Sequence, residues 1–344
     1  MNRTLAASAA LLVALPMIAT PAKATDIIMQ SIYAQTLPLL GDTGAELGER
    51  VSRLTGGDLN IEFNDPGALV ASNEIWDAVS TGAVDAGWYS PGFAQGIIPA
   101  AGIFTAVPFG PSIAEYTAWW YHGGGYEEWN KIGERFNIHS ELCTVLVPEA
   151  SGWFREPVET VADLEGSKMR IFGLGARVMQ KLGVQAQSLP PADTMTALRL
   201  GTIDSAEISF PAIDNNLELF NYASHYYFPG WHQQTSLITF IINRDVWEGL
   251  SEQHRAVIQE VCAANVTRTL ARGESMQLEP LANIRSQGVT VHRWSDEMLE
   301  AFRTAWDEVA EEMSAEDEEF ARVWSDFKAF RERYAEWAAL GYVD

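Results

Sequence analysis

From residue 25 onward the apolar positions alternate between two spacings. Residues 26–29 form a short apolar run of strand length. Residues 43–54 carry apolar positions at helical spacing and stop at Gly56-Gly57, where a helix ends readily. Residues 59–63 (Leu-Asn-Ile-Glu-Phe) alternate apolar with polar, the pattern of a half-buried strand. Residues 73–81 return to helical spacing and 83–89 to strand. This βαβαβ rhythm predicts a mostly parallel α/β sheet with crossover helices.

A second series begins near residue 150. Residues 161–164 read as a helical turn, 168–172 as a strand and 176–182 as a helix. A further helix is expected over 193–200 and a strand over 205–209. The repeated logic predicts two units of similar design. Residues 237–243 are apolar and β-branched enough for a buried strand. Beyond Ser251, a helix N-cap, few Gly or Pro residues occur until Pro280 and Gly288. One helix over 251–285 would span about 50 Å at 1.5 Å per residue and could back both units.

The first residues follow a different pattern. Arg3 is followed by an apolar run over 5–18, then Pro21 and Ala22-Lys23-Ala24, a small-x-small cleavage pattern. The run is short for a membrane span, which takes about 20 residues. Export to the periplasm with cleavage after Ala24 is therefore expected. It would place Cys143 and Cys262 in an oxidising compartment, either bridged or as two buried thiols.

Composition narrows the partners. The chain has 344 residues, 47% apolar, with 46 acids against 23 bases and a net charge of −23. Losing Arg3 and Lys23 with the leader leaves 46 − 21 = 25 excess negative charges. Nucleic acid and anionic lipid need basic surface and are disfavoured. Eight acids within 307–320 read as a solvated helix face, with a cation site as the minority alternative.

Candidate chemistry is sparse on the catalytic side. The six histidines show no metal-binding spacing, and no G-x-S-x-G elbow occurs. Gly173-Leu174-Gly175 opens a helix after a strand, but Val178 stands where a dinucleotide fingerprint needs glycine, so a tight turn accounts for the glycines. Aromatics cluster at Trp88-Tyr89, Trp119-Trp120-Tyr121, and Tyr226-Tyr227-Phe228 with Trp231. Most such clusters are core, but Trp88 and Tyr89 stand at a strand's carboxyl end, where open α/β sheets bind ligands. Arg170 lies inside a predicted strand, where a buried charge must meet a carboxylate. That carboxylate is either a ligand's, gripped by the planar guanidinium, or an internal acid such as Glu207.

At these residues the chain resembles the periplasmic solute-binding subunits of TRAP transporters, closest to the branch that binds 2-oxo and hydroxy monocarboxylates. The resemblance rests on residues 104–111, Gly152-Trp153-Phe154-Arg155, 168–183, 201–207 and 226–232. It implies a two-lobed periplasmic-binding-protein fold (type II-like), α/β, with two mostly parallel sheets, a hinge and a long helix spanning both lobes. The expected lobes are 25–149 plus about 238–265, and 150–237 plus about 266–300, with C-terminal helices over 301–344 packed on them. It also implies delivery of a small solute to membrane permease subunits, and no enzymatic activity.

By resemblance, Arg170 pairs with the ligand carboxylate and a metal ion, Na⁺ or Ca²⁺, accompanies it. The ligand-binding set becomes Arg170, Glu149, Glu207, Ile208, Trp231, His232, Tyr89 and Trp88, with Glu149, Glu207 and Gln233 as metal ligands. The chain departs from the branch at three of these positions. Glu149 replaces a usual Gln, Ile208 a usual Trp and Gln233 a usual acid. Either the cation survives this swap, or a ligand ammonium takes its place and the solute is a small amine or amino alcohol such as ethanolamine. A periplasmic enzyme on this fold and an exported structural protein are the remaining alternatives.

Overall fold

The computed structural model describes residues 24–342; the expected leader up to Lys23 lies outside the described residues. The strands are β1 (Thr25–Ser31), β2 (Leu59–Asn64), β3 (Ala86–Tyr89), β4 (Ile138–Leu146), β5 (Gly152–Phe154), β6 (Lys168–Arg170), β7 (Gln185–Gln187), β8 (Ser205–Ala206), β9 (His225–Phe228), β10 (Ser236–Asn243) and β11 (Thr290–Arg293). They form two sheets, in the orders β2-β1-β3-β10-β4 and β11-β9-β5-β8-β6-β7. Each sheet with its helices makes one lobe.

Both sheets are mixed. β1 pairs parallel with β2 and β3, as the βαβαβ rhythm predicts, but β10 enters antiparallel between β3 and β4. In the second sheet β5 is antiparallel to both β8 and β9, while β6 pairs parallel with β7 and β8. The antiparallel strands are those that flank the first two crossings between the lobes, 147–151 and 229–235. β10 (Ser-Leu-Ile-Thr-Phe-Ile-Ile-Asn) is buried at every position, which explains its strongly apolar, β-branched composition.

The long helix begins where expected, with Ser251 accepting from the His254 N–H, but it ends at Ser275. A second helix follows over Leu278–Ser286. Pro280 enforces the break, since it cannot donate to the carbonyl four residues back. The Gln277 side chain fills the gap, donating to the Gly273 carbonyl at 2.7 Å and accepting from the Ala212 N–H at 3.1 Å. The first helix packs on β4 and the helix Asp42–Leu54, both of the first lobe; the second packs on the helix Pro211–Asn216 of the second. The two segments together bridge the lobes.

The tail crosses back. Helix Asp296–Glu316 packs on helix Leu174–Lys181 of the second lobe, and helix Glu318–Gly341 on residues 99–122 of the first. The acid-rich run is a solvated face with cationic neighbours: Glu308 and Glu312 reach Lys181, and Glu319 reaches Arg135. Cys143 and Cys262 are joined in a disulfide that ties β4 to the long helix within the first lobe. No helix among the described residues is long and apolar enough to cross a membrane.

Candidate functional site

Two segments without regular secondary structure join the sheets, 147–151 and 229–235, the second turning at 230–233, where the Gln233 N–H donates to the Gly230 carbonyl at 3.1 Å. They run side by side: the Gly230 N–H donates to the Glu149 carbonyl at 2.9 Å, and the Glu149 N–H to the Gln233 carbonyl at 3.4 Å. Contact is so close that a Cβ on Gly230 would lie 2.4 Å from the Glu149 carbonyl oxygen, so only glycine fits there. Glu149, His232 and Gln233 are therefore hinge residues, and all three are buried.

A small cavity lies against this hinge, with about 20 Å³ of space for the centres of water-sized groups. One water needs about 10–15 Å³ by that measure. Tyr33, Leu40, Phe93, Leu146 and Ser236 wall it on the first-lobe side, and Arg170, Phe172, Pro191, Glu207, Ile208 and Ser209 on the second. Glu149 and Gln233 complete the lining. Every charged group here is buried.

The charges are ordered by what each side chain touches. Arg170 donates Nη1 to Glu207 Oε2 at 2.8 Å and to the Glu207 carbonyl, and Nε to the Leu189 carbonyl at 2.9 Å. Its Nη2 makes no hydrogen bond among the described residues. The internal partner is thus Glu207, and a solute carboxylate would meet one free nitrogen of Arg170 rather than the full fork. Burial pushes the Glu207 carboxyl up, but Arg170, the adjacent His232 and the Phe172 N–H (3.1 Å) outweigh it and hold it at about 2.

Glu149 has no such help. Its Oε1 accepts from Ser209 Oγ at 2.7 Å, and its Oε2 is buried without a partner. Burial and the charge of Glu207 push its carboxyl well above the usual carboxylate range. Gln233 Oε1 and both ring nitrogens of His232 are also buried and unpartnered, with His232 Nε2 3.7 Å from Glu207 Oε1. Donor atoms of Glu149, Glu207 and His232 lie within 4.8 Å of one another. Unsatisfied buried oxygens around one point fit a hard cation, which accepts carboxylate and amide oxygens alike.

A family model for bacterial extracellular solute-binding proteins, family 7 (DctP), matches residues 30–317. The chain belongs to this family. This family-7 chain is 33% identical over 296 residues (86% of the chain, 81% of the relative) to a monocarboxylate 2-oxoacid-binding periplasmic protein of a Nostoc species. Its fold matches a TRAP transporter solute-binding protein of Bordetella bronchiseptica with TM-score 0.90 and 30% identity, covering 93% and 95% of the two chains; that crystal is a mixed-occupancy dimer with copurified calcium and picolinate in one site. A TRAP periplasmic solute-binding protein of Pseudoalteromonas atlantica with bound sodium and pyruvate matches with TM-score 0.88 and 26% identity, covering 93% and 97%.

Of the residues singled out from sequence, this receptor's fold brings Glu149, Arg170, Glu207, Ile208 and Gln233 to the cavity, with His232 against Glu207. Three aromatics lie outside the lining. Trp88 is buried under the helix Asp42–Leu54 and donates to the Leu40 carbonyl at 2.6 Å. Tyr89 packs between Trp76 and Phe93. Trp231 stacks between Phe109 and Phe302, on the tail helix. All three are core: Trp88 and Tyr89 are successive residues of β3 that point to opposite, packed faces, and Trp231, in the turn of the crossing segment, is covered by the tail helix. Tyr33, Phe93, Phe172, Ser209 and Ser236 carry no local motif, and sequence reasoning passes over them. Only the strand-end positions of Phe172 and Ser209 hint at a role.

Proposed function

We propose that this chain captures a small monocarboxylate, of the 2-oxo or 2-hydroxy acid class, together with a metal cation, and delivers it to TRAP permease subunits from the periplasm. The observation that carries the reading is the pair of buried, unpartnered oxygens, Glu149 Oε2 and Gln233 Oε1, lining one cavity with the free Nη2 of Arg170. Charge arithmetic agrees. Arg170 and Glu207 cancel; Glu149, a carboxylate and a divalent cation also sum to zero. Glu149, Glu207 and Gln233 would hold the cation, with His232 beside them, and when bound it supplies a positive centre for the solute's oxygens. On this reading the chain binds rather than transforms its solute: Tyr33 and Ile208 set the room available, and the hinge excludes water on closing. Relatives bearing a monocarboxylate name or bound pyruvate support the solute class.

A second reading rests on the same charges. An ammonium between Glu149 and Glu207 also balances the site and gives three N–H donors to its unpartnered oxygens, so a small amine such as ethanolamine would need no metal.

Calorimetry with pyruvate decides. Binding that requires calcium or sodium and disappears after exhaustive chelation and sodium removal supports the carboxylate reading. Ethanolamine binding unaffected by that removal, with no response to pyruvate, overturns it in favour of the amine.

A further inference from the structure

The seam between the lobes contains two close contacts of one kind. Phe172 and Leu174, two residues apart where the chain leaves β6 for helix Leu174–Lys181, reach across from the second lobe. Each meets a glycine of the first. A Cβ built on Gly92 would lie 2.7 Å from Phe172 Cζ, and one on Gly102 would lie 2.7 Å from Leu174 Cγ and 2.9 Å from its Cδ2. Neither glycine adopts the left-handed backbone that reserves a position for glycine; those that do are elsewhere. Their own backbone would accept alanine. What excludes a side chain is the opposite lobe.

The neighbours reinforce the fit. Phe93, next to Gly92, packs on Phe172 with ring centroids 4.5 Å apart, across the same seam. Phe172 lines the cavity, and its N–H holds Glu207 at 3.1 Å. Arg170 lies two residues before it. The depth to which Phe172 sinks against Gly92 therefore sets how near the Arg170–Glu207 pair comes to the wall formed by Tyr33 and Leu40. Within its own lobe, a Cβ on Gly92 has one tight neighbour, Thr105 Oγ1 at 3.3 Å.

We propose that Gly92 and Gly102 are positioning residues for solute capture: two notches in the first lobe that receive Phe172 and Leu174 and fix the closed spacing of the lobes, and with it the size of solute the cavity accepts. The inference rests on the reading of this chain as a receptor that closes on its solute. A methyl group at either notch holds the seam apart. In the parted form the methyl on Gly102 is released from Leu174 and the one on Gly92 from Phe172, leaving Gly92 its 3.3 Å approach to Thr105 Oγ1, and replacing glycine shortens the list of unfolded conformations.

Gly92→Ala and Gly102→Ala test this against pyruvate with calcium chloride. Both variants should keep or raise the melting temperature without solute, yet lose affinity roughly 10- to 100-fold, the range expected when one methyl overpacks a closed interface. Gly102→Ala should suffer more, since Leu174 meets it with a branch point rather than a ring tip. Leu174→Ala in that background should restore part of the affinity. Scattering should show the wild type compacting with pyruvate and calcium and the alanine variants compacting less. Unchanged affinity and compaction in both variants overturn the notches.

A solute-free arm separates this outcome from failure of the receptor reading. The pair Gly102→Cys with Leu174→Cys should form a disulfide on mild oxidation and give a compact particle with no solute present, because the Leu174 Cγ position lies within disulfide reach of a Cβ at 102. If wild type ignores pyruvate and calcium but the cross-link forms, the solute assignment fails and the notches stand. If the cross-link does not form, the notches fail whatever the solute.

Discussion

Glu149 and Gln233 sit side by side on the two segments that cross between the lobes, joined by a 3.4 Å bond from the Glu149 N–H to the Gln233 carbonyl. Each turns a buried, unpartnered side-chain oxygen toward the same cavity. The resemblance implies that acid and amide have exchanged places between these two neighbouring segments. Such an exchange would conserve the charge of the site, because the two positions are adjacent in space, although 84 positions apart in sequence.

That adjacency makes the two positions interchangeable in a testable way. Glu149→Gln removes the charge that a bound cation would balance, and cation-dependent solute affinity should fall by about 2–5 kcal/mol, the usual cost of leaving a buried charge without its partner. Adding Gln233→Glu should recover most of the loss by returning a carboxylate to the same point. Calorimetry with pyruvate and calcium measures both. If the second substitution brings no recovery, the two positions do not share a cation.

Arg170 is predicted to matter for folding as well as binding. Arg170→Met strands Glu207 as a buried charge without its cation, and urea denaturation should show a loss of about 3–5 kcal/mol. Arg170→Met with Glu207→Gln should recover part of that stability while still failing to bind a carboxylate. Full stability in the single variant would mean that Glu207 is neutralised by another group.

Asp214 supplies a pH dependence. It is buried beneath the second sheet, where it accepts from Trp153 Nε1 at 2.8 Å and the Tyr226 hydroxyl at 2.7 Å. Burial outweighs those bonds and pushes its carboxyl up to about 7. An unfolded Asp titrates at about 3.9. Between those values the folded chain holds the extra proton, so this group's contribution to stability is greatest below about pH 4 and declines as pH rises to about 7. Asp214→Asn keeps an acceptor for both donors and should flatten that decline by a few kcal/mol. Urea midpoints of variant and wild type at pH 5 and pH 8 give the comparison. Glu149, pushed up as well, slopes the same way in both proteins and cancels. Parallel pH profiles would place the Asp214 carboxyl in its ordinary range.

The disulfide should separate stability from function. Cys143 and Cys262 are 119 positions apart, and opening so large a loop costs about 2–5 kcal/mol. Both ends lie in the first lobe, so the bridge does not span the hinge. Cys143→Ala with Cys262→Ala should lower the melting temperature while leaving solute affinity within about twofold, since the missing constraint acts mainly on the unfolded chain. A large loss of affinity would show that the long helix needs this tie to support closure.

Local order was legible because it is written in spacing. Strand β1, helix Asp42–Leu54 with its glycine stop, and strand β10 all follow from apolar period and punctuation. So does the Ser251 cap. Arg170 stood out by itself, as a charge within a buried strand. Where local rules competed, reading was harder. Pro280 splits the long helix four residues after Met276, although the run around it has helical composition. β11 and β9 pair with each other at one edge of the second sheet, and the short polar segment Thr290–Arg293 has no strand signature without that partner.

What the sequence alone determined is therefore the alternating α/β grammar, the acidic balance and the few polar residues too costly to bury without purpose. Tertiary structure alone decided that β10 returns to the first sheet, that Cys143 faces Cys262, and that Trp88, Tyr89 and Trp231 are core. It also decided that Tyr33, Phe93 and Ser236 share one cavity with Glu149, Arg170 and Glu207. The reason is physical. Periodicity records which face of an element is buried, whereas a site assembled from segments up to about two hundred residues apart depends on how those faces meet. Gly92 and Gly102 mark that limit: each is conformationally ordinary in its own chain segment, and the atoms that a Cβ there would meet most closely belong to the opposite lobe.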